Sequence, residues 1–346
     1  MSAKNVVIII GAGASHGCAS PSFHKLIWNQ DFRPPLAKDL FIPNKSTAGI
    51  LQSYSGANAL SQHIRSQADV PGIEVTLRDL MASGDSDVRK AANHIPLYLR
   101  HLFEGVSQNY LPNMSTNYDL LFTRILLLGI ERVTFISLNY DTFLEAAIER
   151  HFRKRLVRME DYLDFRPGWS LIKLHGSCNW YRKVIGARLD AVDYMSALDI
   201  PELRESLSRT VVTHSEAGEI FGPNRVCHYP ALVVPVVDKY DVSCPPSHYQ
   251  FAVESVRSAT HIFSFGFSFK DDDVLTLLAH AASLEAVSII NGSEAHSSIE
   301  YQRPILERLE RLCPNVYKVA GAISPFLNYD FLGALTSNYL ELALAD

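Results

Sequence analysis

The run Val6–Ile10 is apolar at every position, with none of the alternation of a half-exposed strand. Such a pattern predicts a strand buried on both faces of a parallel sheet. Runs of the same kind recur at Val133–Ser137, Leu171–Leu174, Ala231–Pro235, His261–Phe265 and Val287–Ile290. Helical patterns lie between several of them, as at Tyr140–His151 and Asp271–Ser283. Strands alternating with helices predict an α/β fold, a Rossmann-like doubly wound parallel sheet with right-handed crossovers.

The later strands follow one another at about thirty residues, the usual length of a strand–helix–strand unit. More than a hundred residues separate Ile10 from Val133. Within them Leu77–Met81, His94–Phe103 and Leu120–Leu128 carry helical patterns. The reading is one domain over 1–346, with a Rossmann-like core at 1–43, 130–180 and 228–320. A helical subdomain is inserted at 44–129 and a second insertion at 181–227, and a helical segment follows at 321–346. The second insertion includes Pro201-Glu-Leu-Arg-Glu-Ser-Leu207 and little strand pattern. Asn44–Ala59, rich in Ser, Gly and Asn, reads as a loop.

Composition narrows the class. The chain has 346 residues, 47% hydrophobic and 20% charged, and a formal charge of -5. These values suit a globular protein and give no broad basic surface for nucleic acid. The basic run Arg150-His-Phe-Arg-Lys-Arg155 reads as a solvated helix end. Five scattered cysteines, with no C-x-x-C pair, argue against a disulfide framework or a zinc ribbon. No apolar run approaches the ~20 residues that span a bilayer. The expectation is a cytoplasmic protein without a membrane partner.

Three strand ends carry candidate chemistry. Gly11-Ala12-Gly13-Ala14-Ser15 follows the first strand directly and forms half of a dinucleotide fingerprint. His16 replaces the third glycine, and no acidic residue closes a short second strand, so a plain dehydrogenase fits poorly. Asn139-Tyr140-Asp141 opens the helix through Phe143 and Ile148, where one polar residue could cap and the other meet a ligand. His175, followed by Gly176-Ser177, stands where an imidazole is presented at a strand's carboxyl end, with an ordinary pKa of ~6.5 suited to a general base. Lys270-Asp-Asp-Asp273 reads as acidic first-turn residues rather than a metal site. A Cys178–His175 nucleophilic pair is disfavoured by the short turn between them.

Taken in order, Gly-Ala-Gly-x-Ser at 11–15, Asn-Tyr-Asp at 139–141, Leu-His-Gly-Ser at 174–177 and Phe-Gly-Phe-Ser-Phe-x-Asp at 265–271 resemble the sirtuin superfamily. Ile289-Ile-Asn291 adds a fifth match. The resemblance implies an NAD site. Gly11, Ala12, Gly13 and Ser15 would hold the pyrophosphate, and Asn139 and Asp141 would meet the nicotinamide ribose and carboxamide. His175 corresponds to the catalytic base, with Asn139 positioning the attacking group. Gly266, Ser268 and Asn291 would contact a phosphate or the adenosine ribose.

Departures from the family pattern select among its branches. The zinc-binding cysteine pairs of sirtuin deacylases are absent, and Asp31-Phe-Arg33 comes too late to align with the family's cofactor loop. The chain is similar instead to zinc-free, NAD-consuming sirtuin-like proteins of bacterial antiphage defence. That resemblance implies NAD as substrate, no zinc, and hydrolysis to ADP-ribose and nicotinamide. An enzyme that destroys NAD must be silent until triggered, so a homo-oligomer or a defence partner such as an ATPase, an Argonaute-like protein or a phage component is expected. An NAD-dependent deacylase and a non-catalytic NAD or ADP-ribose sensor are the alternatives.

Overall fold

The computed structural model describes residues 5–18, 33–44, 47–66, 73–110, 116–188, 200, 203–220, 226–232, 244–267, 269, 271–291, 307, 309–311, 313 and 315–320. The chain begins with β1 (Asn5–Ile10) and α1 (Ala12–Cys18). There follow α2 (Ala48–Gln52), α3 (Ser55–Ser66), α4 (Ile73–Met81), α5 (Ser86–Ala92), α6 (His94–Tyr110) and α7 (Asn117–Leu127). Next come β2 (Arg132–Ser137), α8 (Phe143–Phe152), α9 (Met159–Leu163), β3 (Trp169–Lys173) and β4 (Gly176–Arg188). β5 (Leu207–Thr213), α10 (His214–Ile220), β6 (Val226–Leu232), α11 (Pro246–Ser258), β7 (His261–Phe265), α12 (Asp272–Leu278), β8 (Ala286–Asn291) and β9 (Val316–Ala320) follow among the described residues.

Six strands form one parallel sheet in the order β3-β2-β1-β7-β8-β9. The chain winds outward from β1 to β3 on one side, then from β7 to β9 on the other. The topological switch therefore falls between β1 and β7, the place where such sheets bind ligands. Why these runs make central strands is plain from their burial. Val6, Ile8, Ile10, Phe135, Leu171 and Phe263 face one apolar layer, whereas Val7, Ile9, Ile136, Ile172 and Ile262 face the other. Helices α2–α8 pack on the first face, and α11 and α12 on the second. Covering both faces leaves no position for polar alternation, and the fold is the expected Rossmann-like α/β architecture.

Several expectations need correction. Of the run Ala231–Pro235, Ala231 and Leu232 end β6, which pairs antiparallel with β4 and not with the parallel sheet, and residues 233–235 lie outside the described residues. The stretch after His175 is not poor in strands either, since β5-β4-β6 make a second, antiparallel sheet. Its long strand β4 is rich in Arg, Lys, Ser and Asn, yet it buries Trp180 and Val184. Within Pro201–Leu207 the described turn, Leu203–Ser206, is a single 3-10 turn leading into β5. The loop expected at Asn44–Ala59 contains α2 and the start of α3 instead, because Leu51, Ala57 and Ile64 anchor these helices in the core. The basic run at the end of α8 is partly solvated as expected, and its cations are also paired, with Arg150 on Asp119 at 2.6 Å, Lys154 on Asp161 at 2.6 Å and Arg155 on Glu149 at 2.6 Å. Asp31, Ser268 and the segment 321–346 lie outside the described residues.

Candidate functional site

One row of the sheet sets the site. In register, Lys173, Ser137, Ile10, Phe265 and Ile290 lie side by side across β3, β2, β1, β7 and β8. The ladder continues one residue further through Leu174 N–H to Ser137 O and Leu138 N–H to Ile10 O, then Gly11 N–H to Phe265 O and Gly266 N–H to Ile290 O. Gly11, Asn139, His175 and Gly266 thus leave the sheet at nearly one level, and Asn291 closes β8 beside them. The motifs quoted from distant parts of the sequence share one edge.

At the switch point the glycines serve close approach. Gly13 donates its N–H to Gly266 O at 3.0 Å, and a Cβ on Gly11 or Gly13 would press into the backbone of Gly266 or Phe267. Gly266 has φ +62, and a Cβ there would overlap Ala14 N. Only residues without a Cβ let the two turns touch in this way. Ala12 stands exposed at the rim. Gly176, at φ +75, likewise turns the chain sharply after His175, where a Cβ would strike Ala231 O.

Asn139 is held from below. Its Nδ2 donates to Gly11 O at 3.0 Å and to Ser15 Oγ at 2.9 Å, and Ser15 Oγ meets Tyr118 OH at 2.8 Å. A backbone carbonyl can only accept, so this contact fixes which end of the amide is the nitrogen. The opposite atom, Asn139 Oδ1, is buried and has no hydrogen-bond partner among the described residues. Buried acceptors are normally satisfied, so an orphan at a ligand crevice marks a place for a donor. Ser15, expected at the pyrophosphate, is instead 1% exposed and turned inward onto Asn139 and Tyr118.

Asp141 is 4% exposed and accepts the Phe143 N–H at 3.1 Å, so it also opens α8. Burial pushes its carboxyl above the ordinary value, while the charge on Lys173 and a bond with Ser15 oppose that rise. His175 lies beneath the Tyr140 ring, with centroids 6.5 Å apart, and its Nε2 meets Asp271 Oδ2 at 3.0 Å. Cys178 is buried, and its thiol is pushed up to about 12, chiefly by burial. A thiolate nucleophile there is ruled out near neutrality.

Lys173 and Glu145 stand outside the motifs of the sequence, and Asp271 closes one of them without an assigned role. Lys173 is wholly buried, and its ammonium uses all three donors: Asp141 O at 2.5 Å, Ser177 Oγ at 2.6 Å and Glu145 Oε1 at 2.9 Å. It ties the turn carrying Asn139 and Asp141 to the turn carrying His175 and Ser177. A lysine in an otherwise apolar strand, four residues before a hydroxyl, is a weak signal that could have flagged it. Glu145 has no such signal, since its partner lies 28 residues away, and Asp271, though it closes the motif at 265–271, reads locally only as a helix-start acid because its partner lies 96 residues away. The helical layer reaches the same turns, since Ser107 Oγ accepts Thr142 N–H at 3.2 Å and Phe103 packs on Tyr140 at 5.2 Å. A cleft of about 250 Å³ lies nearby between His16, Arg33, Tyr98 and Val106, and none of Asn139, Asp141 or His175 lines it. Among the described residues, no group of three or more His, Cys, Asp or Glu could hold a metal ion. No described helix is long and apolar enough to cross a membrane.

Residues 133–290 match the model of a SIR2-like domain. No curated protein matches the chain. Among solved structures, the chain is similar to a Sir2 homologue mutant in complex with 2'-O-acetyl ADP ribose, at 15% identity and TM-score 0.43, over 96% of this chain and 92% of that one. A structure addressing the mechanism and regulation of Sir2 enzymes matches at 14% identity and TM-score 0.42, over 93% and 89%. Sir2 bound to an acetylated peptide matches at 12% identity and TM-score 0.38, over 95% and 92%.

Proposed function

We propose that the chain, whose residues 133–290 match the model of a SIR2-like domain, is a sirtuin-like enzyme that hydrolyses NAD to ADP-ribose and nicotinamide. A SIR2-like domain implies an NAD-utilising enzyme; the choice of water as acceptor is the proposal. The observation that carries it is the amide of Asn139, pinned through Nδ2 with Oδ1 buried and unpartnered. That oxygen is suited to accept a hydrogen bond from a water and orient it, at the strand end next to the one that carries the imidazole of His175.

Nicotinamide is a cationic substituent on its ribose. It leaves as a neutral base with the electron pair of the broken bond, and no acid need assist it. What the protein must supply is orientation, exclusion of bulk water and one positioned nucleophile. Asn139 orients the water, and His175 takes or relays its proton as the new bond to the anomeric carbon forms. A general base of this kind contributes roughly 10²–10⁴-fold. Asp141 would meet the nicotinamide ribose or carboxamide. Gly11 and Gly13 have already committed their N–H groups, so their part is to leave the bare backbone open to the pyrophosphate at Ala12 and beyond. Gly266, Ser268 and Asn291 would serve the adenosine side.

An enzyme that destroys NAD must be silent until triggered. We therefore propose a homo-oligomeric effector of antiviral defence, controlled by a partner or signal. The first test is nicotinamide release by the purified protein at several concentrations. His175→Ala and Asn139→Ala are expected to abolish release while leaving the thermal unfolding transition intact. Full hydrolysis by both variants would remove the mechanism.

A further inference from the structure

We infer that Asp271 is a positioning residue for His175, holding the imidazole with its proton on Nε2 and its lone pair on Nδ1. The inference rests on His175 being the base of the proposed reaction. Asp271 lies just before α12, where Leu275 N–H bonds its backbone carbonyl, so an acidic helix start would account for its presence. Its side chain does something else: Oδ2 sits 3.0 Å from His175 Nε2.

Topology makes this contact informative. His175 follows β3 and Asp271 follows β7, and β2 and β1 lie between them in the sheet. Three strand spacings amount to roughly 14 Å. The two turns must therefore lean toward each other over the ends of β2 and β1, where Asn139 and Gly11 emerge. A surface acid at a helix start needs no such reach. The pair is also shielded, with side-chain exposures of 12% for His175 and 4% for Asp271, so water competes weakly for either group.

The chemistry follows from which atom can donate. A carboxylate only accepts, so the hydrogen between them belongs to Nε2. The neutral ring then carries its lone pair on Nδ1, and a base can take a proton only there. In the reaction proposed above, the water's proton would pass to Nδ1, and the imidazolium formed would be stabilised by the carboxylate on its far side. Asp271 neither touches substrate nor exchanges a proton.

Asp271→Asn separates this role from simple packing. The amide has nearly the same shape, but its NH₂ can donate to Nε2 and favour the opposite tautomer. In other enzymes a change of this type leaves geometry intact and costs about 10⁴-fold. Here kcat for nicotinamide release should fall roughly 10²–10⁴-fold with KM within about threefold. Asp271→Glu, which restores a carboxylate acceptor, should recover at least tenfold of that loss. The ¹⁵N shifts of the histidine rings, with His175 identified by its loss in His175→Gln, should report Nε2–H in the wild type and a shift toward Nδ1–H in Asp271→Asn. Wild-type kcat in Asp271→Asn, or a gain in activity, would overturn the inference; so would an unchanged tautomer in that variant. If the wild type hydrolyses no NAD while its tautomer is Nε2–H, the base reading fails and the positioning contact stands.

Discussion

Replacing Lys173 with methionine removes a buried charge while keeping most of the side chain's volume. The ammonium is enclosed on all sides and bonded to Asp141 O, Ser177 Oγ and Glu145 Oε1. Without it, Glu145 Oε1 keeps only long contacts, to Tyr162 OH at 3.4 Å and Ser177 Oγ at 3.5 Å, and Oε2 already has no partner. Breaking one side of a buried pair costs about 3–5 kcal/mol, because the remaining charge stays uncompensated. A chain this long has an unfolding entropy of about 0.7 kcal/mol/K, so Tm should fall by about 4–7 °C. Glu145→Gln added to Lys173→Met removes the stranded charge and should return about half of the loss or more. Thermal and denaturant unfolding of the two single variants and the double variant measure this coupling directly. A loss below about 1 kcal/mol for Lys173→Met, or a double variant no more stable than it, would refute the account. Because Lys173 joins the turns of Asn139 and His175, nicotinamide release measured well below Tm should also drop.

The remaining predictions concern the switch point and acid stability. Gly266→Ala should destabilise by about 2 kcal/mol or more, since φ is +62 and the new Cβ would overlap Ala14 N; Gly49→Ala, in an open helical position, should instead be neutral or stabilising. Thermal unfolding compares the two. Burial pushes His248 down to about 4, although the bond to Met159 O opposes the shift. The unfolded chain, with an ordinary histidine near 6.5, therefore binds the extra proton between these values, and stability rises with pH across that window. The contribution is full above about pH 6.5 and is lost toward pH 4, reaching about 3 kcal/mol at most. Denaturant unfolding of His248→Phe should show a flatter slope between pH 6.5 and 4 than the wild type, and an equal slope would refute this.

How much of this was readable beforehand depended on where each signal lies. Five of the six parallel strands were visible because burial on both faces keeps most of their positions apolar, wholly so in Val6–Ile10 and with buried exceptions such as Thr134, Lys173 and Ser264 elsewhere. β9, with Lys318 within Val316–Ala320, lacks that uniformity and was missed. β4 carries no uniform apolar run, because the polar Ser177 and Arg182 are themselves buried and the apolar Ile185 is exposed. The glycines at 11, 13 and 266 were recognisable as a turn, but nothing local reveals that they face one another. Asp271 reads locally as a helix-start acid and becomes meaningful only when the sheet order brings β7 toward β3. Lys173 reads as an imperfection in an apolar strand until its three acceptors are in view.

The central claim is that this site passes the ribosyl cation of NAD to water. The most direct measurement is the product balance for the purified protein given NAD alone, and again with an acetyl-lysine peptide, with His175→Ala as the blank. The account predicts equimolar nicotinamide and ADP-ribose without peptide, unchanged by adding it. NAD consumption that appears only with the acyl peptide and yields an acylated ADP-ribose would contradict it, as would tight NAD binding with no turnover at any protein concentration.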